Sequence, residues 1–457
     1  MSAEMRNLLE KLVARASRLI GGFVEVRIEE RRTTTIEMRD GVVTTSYGID
    51  RGAAVRVYID GSIGFAYTTR LSFDALDSAL RRALSMARAV HGKLPKPLEM
   101  GSMDAYHVTP VKRSIEDVSI DAKIGDVVEL DKLLAKGAKS RTIVYREAVE
   151  EKLYASTEDR YLGERRELAY LYVSVYAEEA GVRASAHINN GTISGYMLWK
   201  KMSQQEVADK LLSRLRAQLH AKAPKAGNFP VVLAPEALGV FVHEAFGHLA
   251  EADLVVAGSV LRGKKGQQVA SPLVTIVDDP GIEDGFGTIR FDDEGVKTAR
   301  AVIVEKGIHK QVMTDRLHAT MLGEPPTGNA RAESYRYQPL VRMRNTVMLP
   351  GEHSVDEVFE GIKFGYYVVS TGGGQTNLDG SFQVGIEEAY EIVNGEIGSP
   401  VRGLSIAGNT LDTLRKIDRV AKDFKLFYGH CGKGQVVPVS DGGPHVRVSS
   451  MTVGGSA

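Results

Sequence analysis

Two histidines five residues apart, with a glutamate directly after the first, place the tightest constraint on how this chain can fold. They lie in the stretch Leu238-Gly-Val-Phe-Val-His-Glu-Ala-Phe-Gly-His-Leu-Ala-Glu-Ala-Asp253. A His-Glu pair followed closely by a second His is the sequence form of a metal-hydrolase helix. Two imidazoles bind Zn²⁺ there, and the carboxylate is placed to take a proton from water. On a regular α-helix, however, His243 and His248 stand roughly 140° apart around the axis. They can share one ion only if the helix loosens through a π-bulge or a bend, and Gly247 sits where such a defect is cheap. The plain alternative is a buried helix carrying two unrelated histidines.

A chain of 457 residues, 43% apolar and 25% charged, is long enough for two to three domains with sizeable cores. Its 58 basic and 58 acidic side chains cancel, which argues against nucleic acid or a membrane surface as the main partner. No apolar run approaches a transmembrane span and the N-terminus lacks the apolar centre of a signal peptide, so the cytoplasm is the expected compartment. Cys431 is the only cysteine, which excludes an intrachain disulfide. Its thiol is a buried small hydrophobe, a nucleophile or a metal ligand.

The order of elements predicts an α+β fold. Met5, Leu8, Leu9, Leu12, Val13 and Ala16 recur at helical spacing up to Gly21-Gly22. Val24, Val26 and Ile28 alternate with Glu25, Arg27 and Glu29, as in a half-buried strand. Asp40-Gly41 and Asp60-Gly61 read as hairpin turns, and a second helix follows Ser72. Another helix is expected over 121–136, then strand-like runs at 142–155, 167–178 and 182–198. Within the second run, Tyr170, Tyr172 and Tyr176 share one sheet face. Ser203-Gln-Gln-Glu206 is a capping box. Ala221-Lys-Ala-Pro-Lys-Ala-Gly-Asn228 is the best linker and places a boundary between residues 1–225 and 226–457. The first part reads as a two-layer α/β domain with antiparallel strands, the second as a strand-rich domain carrying the His-Glu helix.

Other stretches could carry chemistry. Gly429-His-Cys-Gly-Lys-Gly-Gln435 reads as a glycine turn in which Cys431, with His243 and His248, would complete a His₂Cys set with one open position. His430 points the other way in an extended chain and is not chosen. Ser370-Thr-Gly-Gly-Gly-Gln-Thr-Asn377 reads as a glycine loop. It lacks the Lys-Ser/Thr ending of a phosphate cradle, so an extended peptide meeting Gly373, Gly374 and Gln375 is the better reading. Phe291-Asp-Asp-Glu-Gly295 is either a cation site or a solvated turn. Asn329 and Arg331 stand near each other, and Arg331 could grip a substrate carboxylate or belong to a structural ion pair.

Together these segments resemble the TldD/PmbA family of metallopeptidases over nearly the whole chain. The resemblance is carried by His243-Glu-Ala-Phe-Gly-His248 with Glu251 and Asp253, Phe291-Asp-Asp-Glu-Gly295, Thr327-Gly-Asn329 and Asn345-Thr-Val-Met-Leu-Pro350. Gly373-Gly-Gln375, Gly408-Asn409, Cys431-Gly-Lys433, Val437-Pro-Val439 and the Ser449–Gly455 tail continue it. It implies a zinc peptidase with His243, His248 and Cys431 as ligands and Glu244 as general base. It also implies action on unfolded or leader-type peptides inside a two-subunit chamber, as a homodimer or paired with a related subunit that lacks the motif. The Cys loop is one residue shorter than the family's common form. Two rival readings stand beside this one: a non-catalytic modulator subunit of another complex, and a thiol hydrolase with Cys431 as nucleophile and His243 or His430 as base.

Overall fold

The structure, a computed structural model, describes residues 3–455. It is a mixed α+β fold. Aspartate-glycine pairs set the first sheet: Asp40-Gly41 and Asp60-Gly61 both have positive φ (48° and 89°, 49° and 71°), the backbone a two-residue hairpin needs. They join the strands Phe23–Arg39, Val42–Ile59 and Ser62–Thr68. Ser140–Ser156 and Arg160–Glu179 extend this antiparallel sheet. Beyond Arg160–Glu179, Met103–Val108 pairs in parallel and Val182–Thr192 antiparallel, making seven strands in all.

Four helices cover one face of that sheet. Ala3–Leu19 and Phe73–Ala89 bury Leu9, Leu12, Leu76 and Leu80 against Val24, Val26, Ile28 and Val55. Ile120–Leu134 and Gln204–Leu219 close a second core over Ile36, Met38, Leu171 and Val173. Ser72 and Ser203 cap their helices as expected, the latter in a full capping box.

The other face corrects the expectation of half-buried strands. Glu25, Arg27 and Glu29 are buried too. Their cover is the acidic stretch 291–295 and the segment 331–337: Arg56 bonds Glu294 at 2.6 Å, Lys152 bonds Asp293 at 2.9 Å, and Arg27 donates to the carbonyl of Tyr337 at 2.9 Å. Phe291–Gly295 is therefore neither a solvated turn nor an open cation site. It is a charged clasp between the first sheet and the second half of the chain, and pairing is what makes burial of such charges tolerable.

The second half holds two larger sheets. One has six strands ordered Ile308–His309, Ala301–Glu305, Ile276–Asp278, Asn345–Met348, Val436–Gly443, Lys425–Gly432. In the other, of seven strands, Phe364–Thr376 pairs with both Gly227–Leu233 and Ser381–Val393, so part of the sheet closes on itself. The helical stretch after Pro235 packs between them, with Leu238, Phe241, Val242, Ala245 and Phe246 in one core with strand residues of both. Among the described residues no helix is long and apolar enough to cross a membrane.

The glycine-rich stretch 370–377 is not a loop. It is the distal half of the strand Phe364–Thr376, with Gly373 opposite Gly385 and Gln375 opposite Gln383. The register shifts three times between Val368 and Gly373, where Gly373 has positive φ (109°), and then runs regularly from Gly373 to Thr376.

Candidate metal centre

The chain enters the site as an α-helix, Pro235–Val240, and then widens into a π-helix over Phe241–Gly247. The amide of His248 donates to the carbonyl of His243, five residues back. That wider turn stacks residues five apart on one side, where a regular helix would not. Gly247 has ordinary helical dihedrals (φ −57°), so its role is not backbone freedom. A Cβ there would lie 2.2 Å from the sulfur of Met343. Close packing, rather than a cheap defect, is what requires glycine.

Cys431 arrives from the far end of the sequence on the strand Lys425–Gly432, opposite Val437. It ends a strand; the turn itself follows at Lys433-Gly434 (φ 67° at the glycine). The buried guanidinium of Arg342 holds this turn by donating to the carbonyls of Cys431 (2.6 Å) and Gln435 (2.7 Å). One ligand atom from each of His243, His248 and Cys431 falls within 4.8 Å of the other two. Cys431 Sγ is 3.5 Å from His248 Nε2, across 183 residues of sequence.

The electrostatics of the cluster suit a cation. Burial pushes the Cys431 thiol up, but hydrogen bonding and charge from His243 and His248 outweigh it and hold the thiol at about 5. His248 moves the other way: burial pulls it down, while the Glu251 carboxylate and Cys431 raise it to about 10. A thiolate and two imidazoles at this separation fit a zinc-type ion with a coordination position to spare, and binding would release the protons they share.

Further groups that sequence reasoning did not assign support the donors. Glu251, fully buried, bonds His248 Nδ1 at 2.9 Å, the carboxylate–histidine arrangement that fixes a ligand ring. Asp441 and Gly442 run so close to the helix that a Cβ on Gly239 would touch an Asp441 oxygen at 2.3 Å. Glu251 and Asp441 are short-range acidic residues among many, and only the fold shows which of them face the cluster.

Glu244 stands on the open side. Its Oε2 is 3.8 Å from His248 Nε2, and its side chain is 39% exposed. Together with His243 it lines a cavity of about 730 Å³ whose walls include Tyr170, His187, Tyr367, Thr371, Tyr428 and His430. Tyr170 packs edge-on to His430 at 4.6 Å, and burial first, then Arg31 and Arg146, push that imidazole down to about 4. The alternating tyrosines thus contribute one ring to the cavity wall.

The remaining expected residues lie elsewhere. Gly373, Gly374 and Gln375 are exposed on a strand whose nearer residues, Val369 and Thr371, line the cavity. Asn329 is buried, bonding Asp278 (2.8 Å) and the carbonyl of Arg342 (2.9 Å). Arg331 is buried as well, donating to the carbonyls of Met343 and Pro438 at 2.7 Å. Both residues hold the frame beneath the Cys431 turn through these donors, while Asn329 Oδ1 is buried with no hydrogen-bond partner among the described residues.

Comparison with known proteins gives the family. Models of PmbA/TldA metallopeptidase domain 1, central domain and C-terminal domain match residues 24–87, 113–219 and 226–455. The chain belongs to the PmbA/TldD metallopeptidase family. It is 36% identical to the zinc metalloprotease TldD homolog of Saccharolobus solfataricus over 97% of this chain and 99% of the relative. The metalloprotease TldD homolog of Haemophilus influenzae is 33% identical, over 92% and 90%. TldE from Thermococcus kodakarensis has the same fold, with a TM-score of 0.80 at 19% identity over 98% of this chain and all of that one. So has a Thermotoga maritima protein named for modulation of a DNA gyrase, with a TM-score of 0.82 at 23% identity over 98% and 100%.

Proposed function

We propose that this chain is a zinc-dependent peptidase acting on extended peptides. The observation that carries the reading is the meeting of His243, His248 and Cys431 within 4.8 Å, with His243 and Glu244 both lining the adjoining cavity. The two imidazoles and the thiolate would hold the ion. Zinc bound there supplies Lewis acidity toward a scissile carbonyl and lowers the pKa of water to roughly 7. Glu244, the exposed carboxylate beside His248, accepts the proton of the attacking water and delivers it to the leaving amine. Glu251 keeps His248 oriented. A carboxylate in the position of Glu244 has no task in a purely structural site, which favours catalysis over a modulator subunit.

Substrate would lie extended along the strand Phe364–Thr376. Residues 371–376 of that strand pair only with Ser381–Val393 among the described strands, which leaves their other edge open near the cavity. In this reading residues 226–457 carry the chemistry and residues 1–225 help enclose the peptide. A second subunit, identical or related, completes the chamber, and the enzyme works in the cytoplasm.

The test is elemental analysis of purified protein beside its Cys431→Ala variant, followed by a peptide-hydrolysis assay with and without chelator. About one zinc per chain, lost in the variant, with chelator-sensitive hydrolysis, is the expected result. Hydrolysis that ignores chelators but is abolished by thiol alkylation would transfer the reaction to Cys431 as nucleophile.

A further inference from the structure

Lys433 lies two residues beyond Cys431, in the turn that reverses the strand. Its ammonium donates to Glu251 Oε2, to Asp253 Oδ1 and to the carbonyl of Val341, each at 2.9 Å. Those three bonds use all its donors. The Glu251 oxygen it reaches is the same one that bonds His248 Nδ1 at 2.9 Å. Glu251 Oε1 is buried with no hydrogen-bond partner among the described residues, so Oε2 carries both contacts. One carboxylate oxygen therefore links the helix bearing His248 to the turn bearing Cys431. Lys433 also brings the fixed positive charge that a fully buried carboxylate requires.

Resting on the zinc reading above, we infer that Lys433 is a positioning residue whose clasp on Glu251 and Asp253 fixes Cys431 against His248 and so sets how tightly the cluster holds a divalent ion. Lysine suits this task because three separate acceptors meet its compact head. An arginine is longer and fixes its donors in one plane, which does not match three acceptors gathered around a compact ammonium, so substitution by arginine should preserve only part of the effect.

The experiment measures zinc affinity by chelator competition, and the alkylation rate of Cys431 in chelator-stripped protein, for wild type, Lys433→Met, Lys433→Arg and Asp253→Asn. Folding is checked by circular dichroism. The expected result is a 10- to 100-fold weaker affinity for Lys433→Met, on the order seen when a ligand's supporting shell is removed. A smaller loss should follow in Lys433→Arg and Asp253→Asn, with faster alkylation in all three. Should Lys433→Met not fold, the two milder variants decide by the same readouts. Wild-type affinity together with wild-type alkylation in the folded variants overturns the clasp while leaving the zinc reading intact. A wild type that binds no zinc sinks the zinc reading instead, and alkylation alone then decides whether the clasp holds the thiol in place.

Discussion

The amide of His248 bonds to the carbonyl of His243, and this single five-residue turn is what lets a spacing foreign to an α-helix aim two imidazoles at one thiol. At its end, position 247 has no room for a side chain against the sulfur of Met343.

Substituting Gly247→Ala should therefore destabilise the protein by about 1–3 kcal/mol, the usual cost of forcing an extra carbon into a packed core. Shortening the obstacle in Gly247→Ala/Met343→Ala should recover much of the zinc binding that the single variant loses. Chemical denaturation and metal content measured on both variants check this. A fully stable single variant would mean that the helix shifts at no cost.

Glu244→Gln keeps the shape of the side chain and removes its basicity. Metal content should stay at the wild-type level while peptide hydrolysis falls about 10²- to 10⁴-fold, the range for a positioned general base. The measurement is turnover at saturating peptide beside zinc per chain. Loss of both, or of neither, would remove Glu244 from its assigned role.

These relationships were unevenly legible in the sequence. Periodicity and the Asp-Gly pairs announced the antiparallel first sheet, because those signals are local. The spacing of His243 and His248 announced that the helix must be irregular, though not that Met343 packs against Gly247. Cys431 could be matched to the histidines only by donor chemistry and by motif resemblance, since nothing local links residues 183 positions apart. Arg342 was silent for the same reason, and Glu251 and Lys433 showed only as motif members without a role: a buried charged residue reads like an exposed one until its partner is known. The strand at Gly373–Gln375 was hidden because glycine is a weak strand former, and its pairing with Gln383–Gly385 had to override that preference. The acidic run at 291–295 misled in the opposite direction, as acidic turns are mostly solvated and this one is not.

That run makes a third prediction. Asp293, 7% exposed, bonds Lys152 at 2.9 Å and accepts the amide of Ala332 at 2.7 Å, with Arg27 also 3.6 Å away. Removing it in Asp293→Ala leaves Arg27 and Lys152 to share the single carboxylate of Glu29, at 3.0 and 3.8 Å. The cost should be about 3 kcal/mol, at the low end for a broken buried pair because Lys152 retains some access to water. Denaturant melts would report it. A change below about 0.5 kcal/mol would show that the clasp contributes little to stability.

Acid should attack the frame at Asp278. This fully buried carboxylate is pushed up by burial, but the Arg344 guanidinium at 2.7 Å, Asn329 and the Arg344 amide outweigh that and hold it below its ordinary value of 3.8. A carboxylate whose folded pKa is depressed binds fewer protons in the native state than in the unfolded one. Its stabilisation is therefore complete above the unfolded pKa, near 4, and drains away as the pH falls through the lower, folded value. Below about pH 4 this one group should therefore steepen the loss of stability as the pH falls toward its lower, folded pKa. Asp278→Asn cannot titrate, so that variant should start less stable at neutral pH, with Arg344 left unpaired, and show a shallower fall across the acid range. Urea denaturation of both proteins at a series of acid pH values gives the two slopes directly. Parallel slopes would place the acid-sensitive group elsewhere and leave the Asp278–Arg344 pair as a pH-independent part of the frame under the Cys431 turn.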